Sequence, residues 1–256
     1  MAVEGKNPVG MVRDPFAGNG FILPEALCSD QRKLWFRRSN EIIGFLTTTE
    51  LALRECRGKY EHLLSQRHLK SDTPLKLESS DGRSVIMPTG RFLRGCIDGV
   101  DVLCRQVFVM LYGSLETYIF ELLDRSFTKV KMTEDILGQS LEIMMKRKWD
   151  GKFCRIRDVL GLDYKSGDLI NHFKGFQMNF EGKVFRNPLL FLDELAQVRH
   201  KIVHASSILE KGKLIFVNAQ VFHAYYVFFV LLTDYVDDLF AKKFVYARVK
   251  INPAEA

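Results

Sequence analysis

Residues 100–123 read VDVLCRQVFVMLYGSLETYIFELL. Within this run Val100, Leu103, Val107, Leu111, Leu115, Ile119 and Leu122 recur at steps of three and four. That spacing stacks side chains on one side of an α-helix, and the stripe predicts a long helix over residues 92–127. Glu116 stands beside the stripe, one position after Leu115. With Pro scarce and helix breakers few, the fold class read from this pattern is all-α.

On the N-terminal side, Ser29 and Asp30 can cap free backbone N–H groups, which predicts a helix running from there to about residue 64. Leu34, Ile42, Phe45, Leu46, Leu53 and Leu64 are its expected apolar side. Residues 67–90 break the pattern. LKLESSDGRSVIM, residues 75–87, predicts a small hairpin turning at Asp81-Gly82, with Pro88 and Gly90 closing it. Residues 1–24, rich in Gly and Pro, are expected to be irregular.

On the C-terminal side, Thr133, Asp135 and the run ILGQSLEIMMKRKW predict a third helix. Lys146, Arg147 and Lys148 would end it, where cations complement the helix dipole. Residues 151–187 read as irregular, with short helical pieces around 153–160 and 167–176. Pro188 opens the next helix in a first turn that tolerates Pro. A short extended stretch, GKLIFVN, leads into a final helix over 219–244. The expected organisation is an irregular segment (1–24), an N-terminal helix and hairpin (25–90) and a helical domain (91–256).

Hydrophobic residues make up 47% of the chain, enough for a sizeable core and against disorder. The net charge of +6 favours polyanions such as RNA, and equally suits an ordinary basic protein. Cys28, Cys56, Cys96, Cys104 and Cys154 are odd in number and form no CxxC pair. Free thiols in a reducing cytosol are the simplest account, so a cytoplasmic location is expected. The N-terminus shows no signal-peptide pattern. The apolar stretch 221–232 is too short for a bilayer, which takes roughly 20 residues, and no membrane partner is expected.

The chemistry concentrates in residues 193–206, DELAQVRHKIVHAS. Leu192, Leu195, Ala196, Ile202 and Val203 form the expected buried stripe, and Arg199 falls on it. A guanidinium aimed at an apolar face is costly unless it is paired or faces a functional groove. His200 and His204 share a face, whereas Arg199 and His204 stand about 140° apart on an ideal helix. Their convergence would be easier where two copies of the helix meet across a two-fold axis. The residue types suit RNA cleavage. His can take or give a proton near neutrality. Arg offers a fork of donors to phosphate oxygens and stabilises the added negative charge. No metal or other cofactor is needed for this scheme.

Arg199-His200-x-x-x-His204, placed late in a helical chain, resembles the signature of the HEPN superfamily. The upstream run VFVMLYGSLETYIFELL resembles the first core helix of the HEPN groups related to RiboL-PSP. The resemblance covers roughly residues 92–244. It implies a HEPN-like helical bundle, here with an N-terminal helical extension and a small β-hairpin insertion. It also implies homodimerisation and, in many members, metal-independent endoribonuclease activity in toxins and phage defence. Arg199 and His204 would then be catalytic, with His200 and Glu116 supporting and RNA as substrate. An antitoxin or other regulatory protein is a further implied partner. The branch regulated by modification of a Tyr two residues after the His has Ser206 here, so that regulation is not expected. The alternative is a non-catalytic HEPN-like module that binds RNA, a nucleotide or a protein.

Other signals weigh less. Arg57 and His62 repeat the spacing, but Arg54, Glu55, Lys59 and Glu61 around them mark a solvated helix face. Asp14-Pro-Phe-Ala-Gly-Asn-Gly20 resembles a methyltransferase cofactor loop, yet no hydrophobic strand precedes it. His200 and His204 have the spacing of a zinc pair, but Lys201 stands where the metalloprotease motif has Glu. Tyr225, Tyr226, Phe228 and Phe229 could stack on bases, although a continuous apolar helix suits them better to a core or a dimer interface.

Overall fold

The protein is described here by a computed structural model that covers residues 27–67, 70–78, 80–129, 148–180, 182–204, 209–210, 213–214, 219–244 and 249–250. The irregular segment, the methyltransferase-like loop, the third helix and Ser206 lie outside the described residues. So does most of the GKLIFVN stretch. The described chain is mostly helical, with small antiparallel strand pairs at the helix ends.

Ser29 starts the first long helix as its residue type suggests. Its hydroxyl accepts from the Arg32 N–H at 3.2 Å, and α1 runs over Asp30–Arg67. Strand β1 (Leu27–Cys28), just before it, pairs with β8 (Val249–Lys250). After α1 come β2 (Pro74–Glu78) and β3 (Ser84–Pro88), paired from Pro74↔Pro88 to Glu78↔Ser84. Gly82 takes φ +80 in their turn, a conformation open to Gly at little cost. The hairpin delivers the chain into α2 (Thr89–Lys129), and β3 ends where the helix begins.

Helix α2 runs antiparallel along α1, and α5 (Pro188–Val203) and α6 (Ala219–Phe244) pack on its C-terminal half. Helix α3 (Trp149–Leu160) lies on α5, and α4 (Ser166–His172) on α6. A second hairpin, β4 (Met178–Phe180) with β5 (Lys183–Phe185), leads into α5. A short pair, β6 (Leu209–Glu210) with β7 (Lys213–Leu214), precedes α6. At the start of α5, the Asn187 side chain accepts from the Leu189 N–H and Pro188 takes the first helical position.

One core joins the elements. Trp35, Phe36, Ile43 and Leu46 of α1 are buried in it together with Val107, Phe108, Leu111 and Leu115 of α2. Phe228 of α6 meets Phe191 edge-to-face at 4.9 Å and Phe173 at 5.1 Å, while Tyr225 meets Phe108 at 5.3 Å. Tyr225, Tyr226, Phe228 and Phe229 are all buried, which removes them as a base-stacking platform in the single chain.

Two expected faces shift. In α1 the buried face follows Arg32, Phe36, Ser39, Ile43, Leu46 and Glu50, whereas Leu34 and Phe45 point to solvent. The true stripe includes Arg32, Ser39 and Glu50, polar residues that hydropathy alone passes over. Arg32 is held there by Asp234 at 2.5 Å, and Ser29 by Asp237 of α6. In α5 the face is Leu192, Leu195, Val198 and Ile202, and Val203 is exposed because the helix ends there. Residues 149–160, expected to be only partly helical, form a full three-turn helix.

Candidate functional site

Three helices bring polar side chains together at the middle of the bundle. Helix α3 begins beside Lys148, whose side chain offers no cap, so the first N–H groups need another acceptor. Asp193 of α5 supplies one, with Oδ1 at 2.8 Å from the Trp149 N–H. A carboxylate at a helix amino end also meets the positive end of the dipole. The Trp149 indole N–H in turn donates to the Tyr112 hydroxyl of α2 at 2.8 Å, deep in the core.

Lys152, one turn further along α3, is only 7% exposed. Its ammonium lies 4.1 Å from the centre of the Trp149 ring, close enough for cation–π attraction. Burial pulls the Lys152 amine below the ordinary lysine range, and the Glu116 and Asp193 carboxylates push back. Burial raises the Tyr112 phenol far above its usual range. The Trp149 hydrogen bond counters this, Glu116 and Asp193 add to it, and Arg199 opposes it. Glu116, Lys152, Asp193 and Arg199 therefore surround one hydrogen-bonded Tyr112–Trp149 pair.

Arg199 is half-buried on α5, and its Nε is buried without a hydrogen-bond partner. Among the described residues it makes no ion pair, with Glu116 or with any other carboxylate, although both residues act on Tyr112. Asp193 Oδ2 is likewise buried without a hydrogen-bond partner. His200 and His204 are exposed, and their ring centres lie 4.3 Å apart with the planes tilted by 52°. His204 is the residue at which α5 stops: its backbone leaves helical geometry at φ −92 and ψ 72, and its N–H still reaches His200 O at 3.0 Å. The structure thus keeps the two His rings together, places Arg199 inward and next to the Tyr112 cluster, and does not bring Arg199 and His204 onto one face.

Tyr112, Trp149, Lys152 and Asp193 were not singled out in the sequence. Lys152 had a visible signal, since it interrupts the stripe of Trp149, Phe153, Ile156 and Leu160. Asp193 had none beyond its place six residues ahead of Arg199. Lys148 sits at the amino end of α3, where a cation gains nothing from the dipole. The second Arg/His spacing behaves as a solvated face, with Arg57 bonded to Glu61 at 2.8 Å in the open.

The two motif His side chains lie on the surface, and Arg199 is half-buried. A cavity of about 690 Å³ opens elsewhere, lined among others by Asp168, His172, Tyr235 and Lys243, and none of Glu116, Arg199, His200 or His204 borders it. Burial, then Asp168 and Asp163, push the Tyr235 phenol up to about 12. His200 and His204 could offer two nitrogens to a metal, but among the described residues no three His, Cys, Asp or Glu side chains gather at one point. No described helix is long and apolar enough to cross a membrane. No family model, curated protein or solved structure matches the chain.

Proposed function

We propose that the protein is a metal-independent endoribonuclease of HEPN type that acts in the cytoplasm as a homodimer, in the manner of toxins and phage-defence nucleases. The observation that carries this reading is the state of Arg199: half-buried, with an orphaned Nε and no ion pair among the described residues, in the last turns of a helix that ends in two adjacent, exposed His rings. An Arg whose role was to brace the core would be expected to spend its donors on a carboxylate. Glu116 and Asp193 act on the same Tyr112 phenol as Arg199, so all three charges gather around one group without an ion pair to Arg199 among the described residues.

In this reading a single-stranded RNA lies across the exposed end of α5. His204 removes the proton of a ribose 2′-OH, and the 2′ oxygen attacks the adjacent phosphorus. The bond to the 5′ oxygen breaks, and that oxygen takes a proton from a protonated imidazole of the partner copy's motif, while His200 orients the site or contacts the RNA. Arg199 stabilises the charge that builds on the phosphate oxygens. The products are a 2′,3′-cyclic phosphate and a 5′-hydroxyl. An antitoxin or regulatory protein would act by covering this end of the helix.

The second reading is a non-catalytic module that binds RNA, a nucleotide or a protein. It is favoured by the separation of Arg199 and His204 on α5. Incubation of wild type and His204→Ala with mixed single-stranded RNA in EDTA separates the two. Cleavage lost in the variant, with cyclic phosphate ends, supports the nuclease. An uncut substrate with a folded, dimeric wild type leaves the module.

A further inference from the structure

The antiparallel register of α1 and α2 can be read from two contacts. Leu53 Cδ1 lies 3.6 Å from where a side chain on Gly99 would begin, an ordinary packing contact that sets these two positions opposite each other. Tyr60 meets Phe92 edge-on at 4.8 Å. In an antiparallel pair a step forward on one helix matches a step back on the other. Cys56 stands three residues past Leu53 and four before Tyr60, and Cys96 stands three before Gly99 and four past Phe92. Both thiols are thus level with each other, on the helix faces that carry the flanking contacts. Cys56 is exposed, Cys96 is buried, and both are free. Cys56 is also the largest electrostatic neighbour of the Cys96 thiol, after burial itself.

We propose that Cys56 and Cys96 are a reversible redox pair that closes a disulfide across the α1–α2 seam when the chain meets a small-molecule disulfide. Access is available to both sulfurs. Cys56 faces solvent, and Cys96 lines an open cavity of about 580 Å³ between the seam and the β2–β3 hairpin. The exposed Cys56 reacts first: its thiolate attacks the small disulfide, forms a mixed disulfide and expels one thiolate. Cys96 then attacks the Cys56 sulfur and expels the second. The two protons lost by the cysteines pass to the two released thiolates, and the small disulfide takes up the two electrons. Burial raises the Cys96 thiol, which suits it to the second, intramolecular step and not to the first. The requirement is a Cβ separation of about 3.5–4.5 Å.

The test is incubation of the full chain across a series of oxidised-to-reduced glutathione ratios, followed by alkylation and mass mapping of non-reduced peptides. The expected result is a linked Cys56–Cys96 peptide within one chain, with the loss of that pair of free thiols and their return on adding dithiothreitol. Cys56→Ser, a change at an exposed position, should abolish the linked peptide without unfolding the protein. Recovery of Cys56 only as a glutathione adduct, only in a link between two chains, or only as the free thiol under oxidising ratios overturns the proposal.

Discussion

Asp193 of α5 accepts the Trp149 N–H of α3 at 2.8 Å, so one helix is capped by a side chain of another. This bond fixes where α3 starts and holds Lys152 over the Trp149 ring. Asp193→Ala leaves that N–H without an acceptor and should cost about 2 kcal/mol in urea unfolding. Asp193→Asn keeps an acceptor oxygen and should lose about half as much. Equal losses for both would show that the charge, and not the hydrogen bond, holds the helix start.

Lys152 gives a signed pH dependence. Its folded value is pulled below the ordinary 10.5, chiefly by burial. Between the folded and unfolded values the folded chain binds fewer protons, so this residue makes stability rise with pH up to about 10.5. Lys152→Met should remove that slope and raise stability near neutral pH by roughly 1 kcal/mol, because it withdraws a charge from the core. Guanidinium titrations at neutral and alkaline pH check both parts. A destabilised variant at neutral pH would show that the Trp149 contact outweighs burial.

Arg32 is 3% exposed and pairs with Asp234 at 2.5 Å, while His172 approaches the same carboxylate at 3.7 Å. Arg32→Met strands Asp234 and should cost about 3 kcal/mol. Adding Asp234→Leu should recover part of that loss, because a buried pair replaced as a unit leaves no uncompensated charge. A double-mutant cycle by thermal unfolding measures the coupling.

His204→Ala separates activity from stability. The side chain is exposed at a helix end, so unfolding midpoints should move by less than about 0.5 kcal/mol while RNA cleavage is lost. A cleavage rate unchanged in this variant would remove His204 from the chemistry.

Much of the fold was legible because apolar periodicity and turn chemistry agree. The α2 stripe, the Asp81-Gly82 turn, Pro188 at a first turn and the span of α6 each follow from residue type alone. The face of α1 was not, because Arg32, Ser39 and Glu50 lie inward and are stabilised by partners far along the chain, such as Asp234. The β1–β8 pair was hidden for a related reason: two residues joined across nearly the whole chain leave no local pattern. At the candidate site, the Arg199 and His204 spacing is local and readable. The Tyr112–Trp149 bond and the Asp193 cap are not, since tertiary packing of α2, α3 and α5 creates them.

The far reach of α1 and α2 has a mechanical consequence. Beyond Leu46 on α1 and before Cys104 on α2, Cys96 is the one apolar side chain fully buried among the described residues, and exposed Leu51, Ile97 and Val102 flank the seam. Residues 47–67 extend about 30 Å at 1.5 Å per residue. Such a two-helix lever, tipped by a hairpin and with no third layer among the described residues, opens by local unfolding at lower free energy than the bundle it is rooted in. Amide hydrogen exchange should therefore run as a gradient along the same two helices, fast at the hairpin tip and slow at the root, so that a single continuous helix belongs to two cooperative units.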